Sequence, residues 1–433
     1  MKYNPIDSSL FKENRNKLAK QLPKRALAIL NSNDIMPTNA DGTMPFRQNN
    51  DFFYFTGIDQ EESVFLFFPD AINEADREVL FIKETNEHIA IWEGHKLSKE
   101  EATQISGIKE VRWLSTLDDA LSSLVVKADS VYLNQNEHSR ASKVVQTRDD
   151  RFRLELMKNY PLHRYERLAP FIHPLRIIKS EEEIKQIRIA CGITEKAFRR
   201  VLSYMQTGVM EYEVEAEVLH EFLINKANGP AYQSIIASGK NACVLHYIDN
   251  NEKCKFGDLV LMDFGAEYAN YASDLTRTIP VNGKFTQRQK AVYSEVLSIL
   301  KYATSLLVVG NTFKEYNAKV AKEVEKSLLK LGLITIQDIE NQDPDRPAYR
   351  KYFMHGLSHF LGLDTHDVGS YDVAFQAGMV LTCEPGIYIR EENIGVRLEN
   401  DILITESGPE NLMESIPIEI EEIESLMTKE SKL

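Results

Sequence analysis

The sequence predicts a protein of two domains, an α/β domain over residues 1–174 and an α+β domain over residues 175–433. A chain of 433 residues is too long for one ordinary hydrophobic core, so two domains are expected. In the first part, short apolar runs alternate with helical stretches, which is typical of a sheet covered by helices. In the second part, long amphipathic helices flank strand-like segments, which favours an α+β arrangement.

The first domain contains four apolar runs of strand length with turn-forming residues at their ends. They are ALAILNSN (26–33), SVFLFFPD (63–70), EVLFIKET (78–85) and SVYLNQNE (130–137). We therefore expect a mixed sheet. The segment PFRQNNDFFYFTGI (45–58) concentrates aromatic residues, which indicates packing in a core or at an interface rather than a cofactor site.

The domain boundary is marked by a change in character near residue 174. Pro170 and Pro174 precede Ser180, and the Ser180 hydroxyl can cap a helix with Glu183 as its capping-box partner. Helices are then expected at about 180–205, 211–227, 286–307 and 312–332. The strand-like segments are YQSIIASG, DLVLMDFGAEY, YASDLTRTIPV, GMVLTCEPGIYI and GVRLENDILIT. We expect these strands to be curved and mostly antiparallel.

The charge balance argues against two kinds of partner. Lys and Arg number 51 against 65 Asp and Glu, a net charge of −14, which repels phosphate backbones and anionic membrane surfaces. We therefore expect no nucleic-acid partner and no membrane. The first twenty residues lack the apolar stretch of a secretory signal, and no segment has the ~20 apolar residues of a membrane span. A cytoplasmic location is predicted.

The four cysteines, Cys191, Cys243, Cys254 and Cys383, are widely spaced and form no CxxC pair. Reduced thiols are therefore expected, rather than a zinc knuckle or a disulfide framework.

Two acids in the second domain are expected in apolar surroundings, where burying a charged carboxylate costs free energy. Asp263 lies in the apolar strand V-L-M-D-F, and a turn around residues 268–270 would place Asp274 opposite it on the returning strand. Facing carboxylates repel each other. The pair therefore indicates either a shared proton or a bound cation.

Two further acids follow the same pattern. Glu384 is expected at the end of the strand in GMVLTCEPGIYI, and Glu399 inside the strand in GVRLENDILIT, with Arg397 on the same face. Each acid alone is typical of a solvated strand end. Four of them in apolar strands indicate a metal site.

Histidines cluster in MHGLSHFLGLDTHDVG (354–369), which holds His355, His359 and His366. The HxxxH spacing alone could equally come from a helix surface, and His246, at the end of an apolar run, could be a hydrogen-bonded core histidine. One neutral histidine of the cluster would complete a five-ligand set with Asp263, Asp274, Glu384 and Glu399.

Four carboxylates balance the charge of two divalent cations, so this ligand set predicts a dinuclear centre. Oxygen-rich ligation with one imidazole suits Mn²⁺, with Co²⁺ or Zn²⁺ as substitutes. Paired metals typically serve hydrolysis of a peptide or phosphate ester. A phosphoesterase is the weaker alternative, because no Gly-rich phosphate loop or Lys/Arg cluster accompanies the acids.

The motifs around these residues resemble a known family. MHGLSHFLGLDTHDVG, LVLMDFGAEYANYASDLTRTIPVNGKFT, GMVLTCEPGIYI and GVRLENDILITESGPENL closely resemble the aminopeptidase P and prolidase metallopeptidases. PFRQNNDFFYFTGI resembles their N-terminal domain. The resemblance implies a pita-bread catalytic domain of the creatinase/aminopeptidase type, preceded by a smaller α/β domain.

The resemblance also implies roles for individual residues. Asp274 and Glu399 would bridge two metals, His359 and Glu384 would serve one of them, and Glu384 would be the general base. His246 and His366 would lie beside the scissile bond, and His355 and Arg397 towards the proline. The implied metal ligands are Asp263, Asp274, His359, Glu384 and Glu399.

The implied activity is removal of the first residue from peptides with proline second. Such a bond is a tertiary amide without an N–H, so a proline-shaped pocket must position it. The segments 370–377 and 390–394 are shorter than in the aminopeptidases of the family, which keeps a prolidase acting on Xaa-Pro dipeptides open. A non-catalytic peptide-binding protein is the other alternative. A homo-oligomer, dimer or tetramer, is expected from the resemblance and from the aromatic segment 45–58.

Overall fold

The computed structural model describes residues 3–142 and 144–429, so the extreme ends of the two predicted domains lie outside it. The described chain divides into two compact units, one ending at Arg176 and the other beginning at Ile177. The predicted boundary, residue 174, falls inside the helix Ala169–Ile177.

The first unit is built on a six-stranded mixed sheet. Its strands are β1 Ala26–Asn31, β2 Val64–Phe67, β3 Glu78–Ile82, β4 Glu110–Trp113, β5 Ser130–Leu133 and β6 Tyr165–Arg167. Its helices are α1 Ser8–Ala19, α2 Asn50–Thr56, α3 Glu87–Glu93, α4 Lys99–Ser106, α5 Leu117–Val125, α6 Arg148–Asn159 and α7 Ala169–Ile177. The strand order is β4-β3-β2-β1-β5-β6, with β2 antiparallel to both neighbours and the other pairs parallel. The predicted mixed α/β sheet is confirmed.

The strands of this sheet are buried, as continuous apolar runs require. Leu27 and Ile29 of β1 pack in one cluster with Val64 and Leu66 of β2 and with Leu121 of α5. This cluster is the hydrophobic core on one face of the sheet.

The aromatic segment 45–58 forms helix α2, and its four central rings are at most 1% exposed. Phe53 packs edge-on against Phe11, and Tyr54 against Phe55. These rings belong to the core of the unit itself, so they supply no surface for contact with a second copy.

In its described residues, the second unit combines six α-helices with small antiparallel sheets. Its helices are α8 Glu181–Tyr204, α9 Glu211–Ile224, α10 Gln287–Ser305, α11 Phe313–Lys330, α12 Ile336–Glu340 and, at its end, α13 Ile420–Lys429. Its strands are β7 Gly229–Pro230, β8 Ile235–Ser238, β9 Leu259–Phe264, β10 Ala266–Tyr268, β11 Tyr271–Ala272, β12 Leu275–Pro280, β13 Val380–Cys383, β14 Gly386–Ile389, β15 Ile394–Arg397, β16 Asn400–Thr405 and β17 Gly408–Asn411.

The predicted helix start at Ser180 is present. Its hydroxyl accepts from the Glu183 backbone N–H while the Glu183 carboxylate accepts from the Ser180 backbone, which is a complete capping box. Helix α8 buries one side, including Ile184, Ile187 and Phe198, as its apolar spacing predicts.

Every strand pair recorded in the described part of the second unit is antiparallel. Strand β9 lies between β8 and β12, and β16 lies between β13 and β17. The predicted antiparallel α+β domain is confirmed. These two three-stranded sheets carry the acids singled out in the sequence.

The four cysteines are free and buried, as expected for reduced thiols. Burial raises the pKa of the Cys383 thiol to about 12, and its sulfur lies 3.4 Å from the Tyr316 hydroxyl oxygen. A thiolate nucleophile beside Glu384 is therefore not available at neutral pH. Among the described residues, no helix is both long and apolar enough to cross a bilayer.

Candidate metal centre

One open cavity of about 390 Å³ in the second unit collects the predicted site residues. Apolar side chains, among them Ile235 and Leu245, form part of its wall. The structure places all nine predicted residues on this wall: His246, Asp263, Asp274, His355, His359, His366, Glu384, Arg397 and Glu399.

Asp263 and Asp274 meet at the β9–β12 hairpin. Ala269 and Asn270 both have positive φ, and they reverse the chain between β10 and β11. The predicted direct pairing is wrong by two residues: Thr276 lies opposite Asp263, and Asp274 comes just before β12. The two acids are therefore diagonal neighbours on one face, which still lies within reach of their side chains.

The hydroxyl of Tyr232 joins these two acids. It lies 2.6 Å from Asp263 Oδ1 and also contacts Asp274 Oδ1. A tyrosine hydroxyl donates one proton, so it can satisfy only one of the two carboxylates. The second contact requires a further proton or a cation.

The segment after β15 brings Glu399 and Arg397 to the same wall. The sequence predicted Glu399 inside a strand, which is wrong, because β15 ends at Arg397 and β16 begins at Asn400. The Glu399 backbone N–H donates to the Thr276 carbonyl (3.0 Å) and its carboxylate accepts from the Thr276 hydroxyl (2.7 Å). Pairing with β12 across this interruption fixes Glu399 beside the hairpin acids.

Arg397 is buried among hydrogen-bond acceptors. Its Nη2 lies 2.5 Å from Asp263 Oδ2, its Nη1 donates to the Tyr388 hydroxyl (2.9 Å) and its Nε donates to the Thr276 hydroxyl (3.0 Å). The guanidinium thus neutralises one of the four acids and is held by three acceptors.

His359 does not lie on a helix, so the HxxxH spacing does not come from a helix surface. Its segment runs along β13, with backbone bonds from Leu361 to Val380 (3.1 Å) and from Glu384 to Leu357 (2.9 Å). This alignment brings Glu384, which directly follows β13 as predicted, to the same wall.

The ring of His359 is oriented by its own backbone. Nδ1 lies 3.0 Å from the Phe360 carbonyl and must donate to it, so in the neutral ring the lone pair is on Nε2. Nε2 faces Asp274 Oδ2 at 3.4 Å and Glu384 Oε1 at 3.8 Å. An Nδ1–H held by a carbonyl is the usual arrangement of a metal-ligating histidine.

The other three histidines line different parts of the cavity. His355 Nδ1 must donate to the Gly356 carbonyl (2.7 Å), so its Nε2 accepts from the Tyr388 hydroxyl (2.7 Å). The ring of His366 packs edge-on against that of His359, with centroids 4.3 Å apart. His246 is exposed at the cavity wall, so it is not the buried core histidine that its apolar context alone suggested.

Burial dominates the electrostatics of the site. It raises the pKa of Asp263 and of Glu399, and it raises the pKa of Glu384 to about 7. Burial also lowers the pKa of His355 to about 3, so this ring is neutral. For His359, burial is outweighed by Asp274 and Glu384, and its pKa is raised to about 9. The cluster has more negative charge than Arg397 alone can balance.

The donor set fits divalent metal. One ligand atom each from Asp274, His359 and Glu399 lie within 4.8 Å of one another. The doubly contacted Tyr232 hydroxyl and the raised carboxyl pKa values both indicate a place for added positive charge. Carboxylate oxygens with one imidazole are ligands that divalent ions accept.

Sequence reasoning missed four residues that hold these groups: Tyr232, Thr276, Tyr388 and Asp401. The Asp401 carboxylate, fully buried, accepts from the Asp274 backbone N–H (3.0 Å). Strand alternation could have suggested Thr276, which lies on the face of Asp263. Nothing in the sequence marks Tyr232, because it reaches the acids from a different segment.

Two family models match this chain. The model described as metallopeptidase family M24 matches residues 185–406, and the one described as aminopeptidase P, N-terminal domain, matches residues 11–132. The chain belongs to the aminopeptidase P group of metallopeptidase family M24. The predicted family, the pita-bread fold and the classification as a metal-dependent peptidase are therefore confirmed.

Relatives of the family match along almost the whole chain. The Xaa-Pro aminopeptidase of Escherichia coli K12 is 37% identical over 99% of both chains. The structure of aminopeptidase P from E. coli with the inhibitor Pro-Leu has a TM-score of 0.88 at 36% identity, covering 99% of this chain and 100% of that one. Aminopeptidase PepP of Pseudomonas aeruginosa has a TM-score of 0.90 at 32% identity, covering 99% and 100%.

Proposed function

We propose that this chain is a dinuclear metal-dependent Xaa-Pro aminopeptidase, which hydrolyses the bond between the first residue of a peptide and a proline at position two. The observation that carries the proposal is the convergence of four carboxylates and one imidazole on the wall of a single cavity. The similarity to the Xaa-Pro aminopeptidase of E. coli over 99% of both chains supports the substrate class.

Five residues would hold the metals: Asp263, Asp274, His359, Glu384 and Glu399. Asp274 and Glu399 would bridge the two ions, which is supported by the closeness of their oxygens to one another and to His359 Nε2. Mn²⁺ is the proposed ion, with Co²⁺ or Zn²⁺ as substitutes. Once bound, the ions would lower the pKa of a water molecule and polarise the peptide carbonyl.

Proton transfer would depend on Glu384 and two histidines. Glu384 would act as general base, and burial raises its pKa to about 7, which suits a group that must take up and return a proton. His366 packs on His359, and His246 lies on the open side of the cavity. Both histidines would donate to the oxygen that gains charge during attack.

The proline ring would lie against His355 and Arg397. Because His355 is neutral and accepts from Tyr388, its position is fixed without a charge. Arg397 is held by Tyr388 and Asp263 and closes the same side of the cavity. A rigid pocket of this kind positions a tertiary amide, which offers no N–H to grip.

The experiment that tests the proposal is Mn²⁺-supplemented hydrolysis of a matched Xaa-Pro dipeptide and Xaa-Pro tripeptide, read by mass spectrometry. Release of the first residue from the tripeptide supports the aminopeptidase. Cleavage of the dipeptide alone would identify a prolidase, the alternative kept open by the short segments 370–377 and 390–394. Cleavage of neither, with intact metal binding, would favour the non-catalytic peptide-binding alternative.

The finer organisation is also proposed. Residues 1–174 would form the aminopeptidase P-type domain and residues 175–433 the catalytic domain, in a cytoplasmic homo-oligomer, a dimer or a tetramer. The burial of the α2 rings removes one of the two arguments for the oligomer, so this part rests on the family alone. Light scattering tests it, and a monomer would contradict it.

A further inference from the structure

A second, larger groove lies in the same unit as the catalytic cavity. It has a volume of about 660 Å³ and is lined by residues just before α12, by Asp338 of α12 and by the chain that follows α12 up to Met354. Its apolar floor includes Leu333 and Ile334, and its rim is charged. The metal centre does not use this groove.

Residues that line the groove contact residues that line the catalytic cavity, although no residue lines both. Met354 lines the groove and packs against the buried cluster that contains Ile235, a residue of the cavity wall. Arg350 lines the groove, and its Nη1 donates to the carbonyl of His355 (3.0 Å), a cavity residue. The groove therefore adjoins the cavity on the side of His355.

The rim of the groove offers cationic hydrogen-bond donors. Among the described residues, the Arg346 guanidinium makes no hydrogen bond or ion pair. Arg350 uses one nitrogen for the His355 carbonyl and keeps its other donors. Lys351 lies 3.8 Å from Glu391, and its ammonium also sits over the Tyr352 ring, 4.8 Å from the centroid. Guanidinium groups with spare donors bind carboxylates in bidentate geometry.

The rim of the groove carries two acids against three cations. Asp338 is engaged as a helix cap, accepting from the Thr335 backbone N–H (2.7 Å) and hydroxyl (2.8 Å). Asp345 is the other acid of the rim, next to Arg346. Cations thus outnumber acids in a protein whose net charge is −14.

We propose that this groove binds the part of the peptide that follows the proline, and that Arg346 and Arg350 hold a carboxylate of that part. The carboxylate is either the C-terminus of a short peptide or an acidic side chain of a longer one. The inference rests on the proposed function, since it assumes that a peptide occupies the cavity. It makes this chain selective for acidic downstream peptide segments.

The test measures binding rather than turnover. Peptides that begin with proline, Pro-Ala, Pro-Ala-Ala and Pro-Ala-Ala-Ala, represent the part left after the first residue is removed. Each is titrated calorimetrically into the metal-loaded protein as the free acid and as the C-terminal amide, together with an amidated peptide that carries aspartate at its end. The variants are Arg346→Gln, Arg350→Gln and the double variant, with Arg188→Gln as a matched control on α8.

We expect a free acid of sufficient length to bind about tenfold more tightly than its amide. This ratio should fall towards one in the double variant and stay unchanged in Arg188→Gln. If the amidated peptide with aspartate binds as tightly as the free acids, the groove accepts an acidic side chain. If only the free acids bind tightly, the groove recognises the C-terminal carboxylate. Equal affinities of acids and amides, or a ratio that the arginine variants leave unchanged, would overturn the inference.

Comparing these titrations with the hydrolysis assay separates this inference from the proposed function. Acid-selective binding that depends on Arg346, in a protein that cleaves no Xaa-Pro peptide, would leave the groove intact and reject the peptidase. Cleavage of Xaa-Pro peptides without acid-selective binding would support the peptidase and reject the proposed role of the groove.

Discussion

Lys179 and Asp367 form a buried ion pair in the second unit. Lys179 Nζ lies 3.0 Å from Asp367 Oδ2, and both side chains are 1% exposed. Lys179 immediately precedes the cap of α8, and Asp367 immediately follows His366. The pair therefore ties the start of a long helix to the loop that carries a cavity histidine.

Breaking this pair should destabilise the second unit strongly. Asp367→Leu leaves the Lys179 ammonium buried without its carboxylate, and such a change typically costs about 3–5 kcal/mol. We expect a matching fall in the free energy of unfolding, measured by urea denaturation of the metal-loaded protein.

The double variant Lys179→Met/Asp367→Leu removes both charges and should recover much of that loss, because two apolar side chains of similar size need no desolvation compensation. If the single and double variants are equally destabilised, the packing of these side chains matters and their charge pairing does not.

Removing the hydroxyl of Tyr232 should weaken the metal centre without removing a ligand. Tyr232→Phe deletes the contact to both Asp263 and Asp274, and loss of an outer contact of this kind typically costs about 10–100-fold in metal affinity or activity. Mn²⁺ titration of the apoprotein measures the affinity. Tyr204→Phe, on α8, is the control, and equal Mn²⁺ affinity in both variants would contradict a supporting role for Tyr232.

Loss of the Asp274 carboxylate, a proposed bridging ligand, should weaken metal binding and abolish turnover. Asp274→Asn is expected to lower the metal content from about two ions per chain to less than one, and activity by more than about 100-fold, beyond the effect of an outer contact. Elemental analysis after dialysis provides the measurement. Glu406→Gln, in an exposed turn, is the control, and full activity of Asp274→Asn or after exhaustive chelation would reject metal dependence.

A buried acid in the first unit should make stability depend on pH independently of metal. Burial raises the pKa of Asp149 to about 7, although the Asn31 amide donates to its Oδ1 (2.8 Å). Because the folded pKa lies above the unfolded one, near 4, this carboxyl stabilises the fold most below pH 4, and that contribution is lost as the pH rises through 7.

The expected loss is at most about 4 kcal/mol between pH 4 and pH 8. Thermal unfolding of the metal-free protein across this pH range measures the loss of stability. In Asp149→Asn, the unfolding temperature of the first unit should depend less on pH. An unchanged profile in that variant would show that Asp149 is ionised throughout.

The parts of this protein that were predictable from sequence are those where neighbouring residues decide the structure. The capping box at Ser180 needs only Glu183 three residues on, and the β9 strand needs only its apolar run. Asp263 and Glu384 stood out because a carboxylate next to such a run needs compensation.

The parts that escaped prediction depend on contacts between distant segments. The interruption at Glu399 is stabilised by the Thr276 carbonyl, which lies more than a hundred residues earlier in the chain. Tyr232 likewise reaches Asp274 from β8's leading segment. Periodicity reports burial along one segment and carries no information about which partner fixes a side chain.

The burial of all four thiols turns the protein into a convenient background for labelling. Because Cys191, Cys243, Cys254 and Cys383 are all buried, maleimide dyes should react with them slowly, so the native chain should remain almost unlabelled. A cysteine introduced at an exposed position such as Leu162 in the first unit, and another at Lys319 in the second, would then be the two fast-reacting thiols. A donor and acceptor pair attached there would report, by energy transfer between single molecules, whether the two units change their separation when a peptide enters.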